Sequence, residues 1–225
     1  YECTSGRINR YHPAQYFLNQ LASQLRGAGI SLQGTSITYQ HPAAFTPVCT
    51  ITHHINEILT RMMKQSDNLY AESMFFQLGA SVCQHATWKD CAARVNSVIS
   101  RTGASTMYVD VVDGSGLSLY NYVTPAIQVA MLRHAYRNAP IFSTLYASMP
   151  IAGVDGTLQS RMTGSAAFRN VHAKTGTVTG VSSLTGYATA PNGHLLAFSI
   201  ICNGVKKASE GRAFQDRICG LLCEP

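Results

Sequence analysis

Hydrophobic positions along the chain follow two rhythms, helical in the first two thirds and strand-like after that. Over residues 13–28, Phe17, Leu21 and Leu25 recur every four residues beside Leu18 and Ala22, and Gly27 and Gly29 close the run. This is one face of an amphipathic helix with its stop signal. "ISLQG" then predicts a short extended piece. Residues 36–50, with two prolines and little period, predict strand or loop. Over 52–64, Ile55, Ile58, Leu59, Met62 and Met63 again share a helical face, and a second helix is expected over 69–78. Ser66-Asp67-Asn68 therefore falls at a junction between two helices. "TWKDCAARVNSVISRTG" predicts a helix with Thr87 as N-cap, a buried stripe of Trp88, Ala92, Val95 and Ile99, and Gly103 as its stop. "MYVDVV" alternates like a strand, and "DGSGLS" is a turn. "TPAIQVAMLRHAYR" predicts a helix with Thr124 at the N-cap and Pro125 at the first helical position.

The last third reads differently. Residues 171–177 and 183–190 predict strands, and Pro191-Asn192-Gly193 a hairpin turn. "HLLAFSIIC" is apolar from Leu195 to Cys202 apart from Ser199, which predicts a strand covered on both faces and hence central in its sheet. A final helix is expected to bury Phe214, Ile218, Leu221 and Leu222. Helices, then an antiparallel meander, then a covering helix make an α+β class with layered architecture.

Composition narrows this picture only a little. With 225 residues, 46% of them hydrophobic, the chain can bury a real core. No apolar run reaches membrane-spanning length, so no transmembrane segment is expected. The net charge of +6 comes without a basic run or aromatic–basic interleaving, which argues against nucleic acid and fits equally a solvated basic surface or an anionic substrate such as a free carboxylate or a cell-wall polymer. Seven cysteines are scattered without C-x-x-C or a zinc pattern, so no metal site is expected from them. Cys202 reads as a small core residue. Cys83–Cys91 and Cys219–Cys223 are candidate disulfides in an oxidising compartment, and the odd count leaves at least one thiol unpaired.

Three local patterns carry chemistry: Ser66-Asp67-Asn68; "VDGSGLS" at 112–118 followed by Asn121 and "VTP"; and "HAKTGTVTG" at 172–180. Taken singly, each has an ordinary reading as a helix cap, a turn pair or a strand end. Together, Ser-x-Asn followed by Lys-Thr-Gly with the serine and lysine 108 residues apart matches two of the three motifs of serine acyl transferases. The longer contexts "MKQSDNLYAE", "VVDGSGLSLYNYVTP", "AGVDGTLQSRM" and "HAKTGTVTGVSSLTGYA" resemble the D-alanyl-D-alanine carboxypeptidase/endopeptidases of the penicillin-binding protein 4 type, over roughly positions 13 to 220.

That resemblance implies a penicilloyl serine transferase (β-lactamase/transpeptidase-like) fold, an antiparallel sheet flanked by helices and incomplete at its N-terminal side. It also implies a serine nucleophile that forms an acyl-enzyme with the amide before a terminal D-alanine. Catalytic roles fall to Ser66, which passes a proton toward the leaving amine, to Asn68, which holds the lysine and the substrate amide, and to Lys174, which supplies positive charge. Thr175 and Thr177 would bind the substrate carboxylate. Gly176 would let the substrate backbone lie close to the strand, and the Thr177 N–H would form half of an oxyanion hole. Asp113, Ser115 and Arg161 shape the rim of the substrate cleft. The implied partners are peptidoglycan stem peptides ending in D-Ala-D-Ala and β-lactam antibiotics, in a periplasmic or otherwise extracytoplasmic location.

The nucleophile motif, Ser-x-x-Lys, is missing. Residues three before Lys64, Lys89, Lys174, Lys206 and Lys207 are Arg61, Ala86, Val171, Asn203 and Gly204. The chain also shows no initiator Met or signal peptide. These features read as the C-terminal portion of a longer protein, with residues 1–50 the end of an inserted region and 51–225 the C-terminal part of the transpeptidase-like domain. The chain alone is then expected to be inactive and to expose an unpaired sheet edge. A class A β-lactamase would need a glutamate between the two motifs, and none lies between Glu72 and Lys174. A non-catalytic module that binds cell-wall peptides would not need the proton-relay serine.

Overall fold

The computed structural model describes residues 12–36 and 50–225, in two compact units, Tyr1–Ile51 and Thr52–Pro225. In the first, α1 (Pro13–Gly27) forms where the four-residue spacing places it, opened by a proline and carrying Arg26 in its last turn. Phe17 and Leu21 on its apolar face remain exposed. Residues 30–36 form no strand, and the expectation for 36–50 falls almost wholly outside the described residues.

The second unit holds the helices α2 (Ile55–Lys64), α3 (Asn68–Ala80), α4 (Trp88–Arg101), α5 (Pro125–Tyr136), α6 (Ala139–Ser148) and α7 (Ala208–Cys223). Its sheet is β1 (His172–Val178), β2 (Val181–Thr189) and β3 (Leu195–Asn203), an antiparallel meander in that order. Local chemistry explains the helix starts. The Thr87 backbone N–H donates to the Asp90 carboxylate at 2.8 Å and closes a capping box on α4. Thr124 Oγ1 accepts from the Ile127 N–H at the head of α5. Trp88, expected in the buried stripe of α4, is 43% exposed. Cys91 takes the interior place instead, packed with Phe75 and Ala92. A bulky side chain in the first turn overhangs the end of the helix, whereas a small one a turn later fits beside α3.

The stretch 107–112 is not a strand. Only Asp110 pairs, in an isolated bridge with Tyr122. Its alternation reflects a loop whose backbone is held by side chains, as shown below. Among the described residues β3 pairs with β2 alone, so its outer edge has no strand partner, which is the unpaired sheet edge expected of this chain. α5 packs against the strand, and Phe198 on its other face joins the core that contains Cys219 and Cys223 of α7.

The sheet register places Ala173, Leu184, Gly186, Ala188 and Phe198 on one face. That face meets α7 and forms the main core with Leu158, Met162, Ala167, Val171, Cys219 and Cys223. The buried side of α7 is Gly211, Gln215, Cys219, Gly220 and Cys223, while Phe214 is 52% and Leu221 65% exposed. Close approach decides this. A Cβ on Gly211 would come within 2.8 Å of the Ser182 side chain, so the helix presents its small residues to the sheet. Gln215, fully buried, donates to Ser182 Oγ at 3.0 Å. The cysteines at 83, 91, 202, 219 and 223 are free thiols; neither candidate pair is bridged, and Cys202 is half-buried. Cys3 and Cys49 lie outside the described residues. Among those residues no helix is long and apolar enough to cross a membrane, and no cluster of His, Cys, Asp and Glu has the makings of a metal site.

Candidate active site

The other face of the sheet carries His172, Lys174 and Gly176 on β1 beside Ser183, Thr185 and Tyr187 on β2. A cleft of about 900 Å³ opens against it, lined by Ser66, Asn68, Ser115, Arg161, Lys174, Thr175, Gly176 and Thr177 among others. Eight of the nine residues expected at the site thus share one cleft.

The corner between α2 and α3 is built by the middle residue of its motif. Asp67 donates its N–H to Met62 O at 3.2 Å, accepts the Leu69 N–H on Oδ1 at 3.2 Å, and pairs through Oδ2 with the Arg61 guanidinium at 3.2 Å. It closes one helix and caps the next. Ser66 is held there with φ of 51°, in the left-handed region, which costs a non-glycine residue about 1 kcal/mol. This bend brings Ser66 Oγ within 2.7 Å of Lys174 Nζ, across 108 residues of chain.

Lys174 also donates to Thr175 O at 2.6 Å. Burial, with no charged partner offsetting it, lowers its pKa from the ordinary 10.5 to about 8. A lysine so placed titrates closer to neutral pH than a solvated one. Thr175 Oγ1 meets Thr157 Oγ1 at 2.8 Å. At Gly176 a Cβ would come within 2.5 Å of Ser183 Oγ, so no larger residue fits at this point of the strand.

Asp113 does not line the cleft. Its carboxylate turns back into its own loop and accepts from Gly116 N at 2.5 Å, Ser118 N at 2.7 Å and Asn121 Nδ2 at 3.1 Å. Glu72 on α3 accepts from the Ser115 N–H at 3.0 Å, and Gly114 allows the loop to approach α3, since a Cβ there would lie 2.5 Å from Ala71 O. Asp113 thus supports the loop that carries Ser115 to the cleft. Arg161 lines the cleft, yet its guanidinium is engaged by α7: Asp216 Oδ1 at 2.6 Å, Gln215 Oε1 at 3.0 Å and Arg212 O at 3.3 Å.

Two cleft residues, Gln128 and Thr157, escape motif reading, and Asn121, noted only by its place after the Asp-Gly turn, gains a role. Gln128 on α5 accepts from Thr185 Oγ1 at 2.8 Å and Ser199 Oγ at 2.6 Å. Its only signal is a polar residue inside an apolar helix. Thr157 sits inside "VDGTLQS", a stretch that draws attention to its Asp-Gly turn. Asn121 follows "DGSGLSLY" and holds that loop by accepting the Val112 N–H at 2.8 Å.

Comparison with known proteins places this geometry. The model of the D-Ala-D-Ala carboxypeptidase 3 (S13) family matches residues 2–224. A D-alanyl-D-alanine carboxypeptidase of Actinomadura sp. (strain R39) is 37% identical over 209 residues, covering 89% of this chain and 38% of that protein. D-alanyl-D-alanine carboxypeptidase DacB of Haemophilus influenzae is 31% identical, covering 84% and 40%. The crystal structure of penicillin binding protein 4 (dacB) from Haemophilus influenzae, complexed with a novel β-lactam, superposes with a TM-score of 0.87 at 27% identity, over 97% of this chain and 53% of that one. The extended-spectrum β-lactamase TLA-3, at 19% identity and a TM-score of 0.56, shares the fold alone. The chain spans about two fifths of the length of the curated relatives it matches. With the α+β penicilloyl serine transferase architecture and the family match along almost its whole length, the chain belongs to the D-Ala-D-Ala carboxypeptidase 3 (S13) family.

Proposed function

We propose that this chain is the C-terminal part of a serine-type D-Ala-D-Ala carboxypeptidase/endopeptidase that works on peptidoglycan stem peptides through an acyl-enzyme, with β-lactams entering the same cleft. The 2.7 Å contact between Lys174 Nζ and Ser66 Oγ carries the reading, because it joins two distant motifs at one point of an open cleft. The nucleophilic serine comes from sequence outside this chain. It attacks the carbonyl before the terminal D-alanine, and its proton reaches the leaving amine through Ser66, whose hydroxyl donates and accepts at once. Asn68 orients the peptide amide. Lys174 supplies positive charge to the substrate carboxylate, which Thr175 and Thr177 also bind, and to the proton network that runs through Ser66. The Thr177 N–H is half of the oxyanion hole, worth about 3 kcal/mol per donor in such sites. The peptide lies along β1 as an added strand, as Gly176 permits. Ser115 and Arg161 border the cleft, and Asp113 holds the loop that brings Ser115 there. Residues 1–50 are the end of an inserted region, and the protein acts outside the cytoplasm. No cofactor takes part.

Fluorescent penicillin tests this. The full-length gene product is expected to form a stable covalent adduct, and the 225-residue chain alone none. In the full-length protein Lys174→Ala is expected to slow acylation about a hundredfold or more, the usual scale of a lost proton-transfer group. Labelling of the isolated chain overturns the placement of the nucleophile. A full-length protein that never labels overturns the acyl-transfer reading.

A further inference from the structure

Lys64 lies two residues before Ser66, at the last position of α2, and is spent on something other than the cleft. Its Nζ meets Asp155 Oδ2 at 2.5 Å and Met149 O at 3.1 Å. The lysine side chain is 18% exposed and the aspartate 35%, so the pair is partly desolvated. Asp155 Oδ1 accepts the Ile151 N–H at 3.0 Å, which locks the loop between α6 and β1 to the same carboxylate. The loop then touches both halves of the site. At Gly156, φ +56°, a Cβ would fall 2.7 Å from Lys64 O, so the loop backbone rests on the corner that presents Ser66. One residue later Thr157 Oγ1 meets Thr175 Oγ1 at 2.8 Å, beside Lys174 on β1. Pro150 O accepts the Ala173 N–H at 3.0 Å on the other side of Lys174.

Ser66 and Lys174 stand on different elements, a helix corner and a strand, and their contact is a single hydrogen bond. The loop of residues 149–157 is the short path that joins those elements, and the Lys64–Asp155 pair is its fastening at the corner end. We infer that Lys64 and Asp155 are positioning residues for the acyl-transfer site: their ion pair sets the Ser66–Lys174 distance and so the rate of the proton-transfer step, without touching substrate. This rests on the acyl-transfer reading above. A lysine that served only to anchor α2 would have no need to share its partner with the loop that reaches Thr175. An error of an ångström between reacting groups is enough to cost two orders of magnitude in rate.

The test uses the full-length protein and fluorescent penicillin, with the acylation rate constant separated from the affinity of the complex that precedes it. Asp155→Asn and Lys64→Met are each expected to lower the acylation rate constant at least tenfold, with the preceding affinity changed less than twofold. The double variant is expected to be no slower than the slower single variant, because both remove one device. Lys64→Arg, which keeps a charge able to reach Asp155, is expected to retain most of the rate. Rates are referred to the folded fraction at the assay temperature, so a variant that folds poorly still reports. Rates within twofold of the parent overturn the inference. So do losses that multiply in the double variant, an arginine variant as slow as the methionine one, or a deficit that vanishes once folded protein alone is counted. A parent protein that fails to label refutes the acyl-transfer reading itself, a result distinct from all of these.

Discussion

The two faces of one three-stranded sheet differ in almost every physical respect. Toward α7 the sheet presents Ala173, Leu184, Ala188 and Phe198, all buried, and the polar groups in that layer satisfy one another: Gln215 donates to Ser182 and accepts from Arg161. Toward the helices α2, α3 and α5 it presents Lys174, Thr185 and Ser199, bonded to Ser66 and Gln128 at the wall of the open cleft. The first face is closed by α7, whereas the second borders an open cleft. The second keeps a partly desolvated cation with no carboxylate beside it. A core built only for stability would pair such a charge or replace it with an apolar side chain.

The largest effect expected from that contrast is on the closed face. Leu184→Ala removes a fully buried side chain and should cost about 2–5 kcal/mol in denaturant unfolding, with the remaining folded protein unchanged in its cleft chemistry. A cost no greater than that of a surface change would break the distinction. A smaller and pH-dependent effect belongs to the open face. Folding lowers the Lys174 pKa from 10.5 to about 8, so between those values the unfolded chain holds a proton that the folded chain has released. Stability therefore rises with pH across that window, and the penalty is present in full below pH 8. Burial raises Tyr187 and Cys219 to about 12, and each pulls the other way at alkaline pH. The measurement is accordingly the difference between the parent and Lys174→Met over pH 7–11, which should climb; a flat difference would show that the amine is not desolvated. The smallest effect sharpens the boundary of the closed face. Leu221→Ser, on the outer side of α7, should change stability by no more than about 0.5 kcal/mol.

Much of the fold was legible because period and caps are local. The spacing of Ile58, Leu59 and Met62 foretold α2, Thr124-Pro125 foretold the start of α5, and the alternation after residue 171 foretold β1 and β2 within a residue or two. The failures share a cause. Phe214 and Leu221 are the more hydrophobic choice for the inner side of α7, but contact with Ser182 requires a glycine, and Gly211 turns the helix accordingly. The alternation of 107–112 is real, yet the Asp113 and Asn121 side chains supply hydrogen bonds that a strand partner would have supplied. Helix α6, too short and too evenly apolar to show a period, was not foreseen at all.

By itself the sequence determined the family, the class of fold and the residue types of the site, since Ser-Asp-Asn and Lys-Thr-Gly in extended context are chemically restrictive. It did not determine what each of those residues does. Only the tertiary structure showed that Asp67 builds the corner, that Asp113 serves its own loop, that Arg161 is tied to α7, and that Lys64, two residues from the motif, is fastened to Asp155. The physical reason is one of range. A side chain's relation to its own helix or strand repeats every two to four residues and can be read from spacing. Its partner across the fold is set by which backbones come close, and the desolvation that brings Lys174 to about 8 exists only once 108 residues of chain have folded back to place Ser66 beside it.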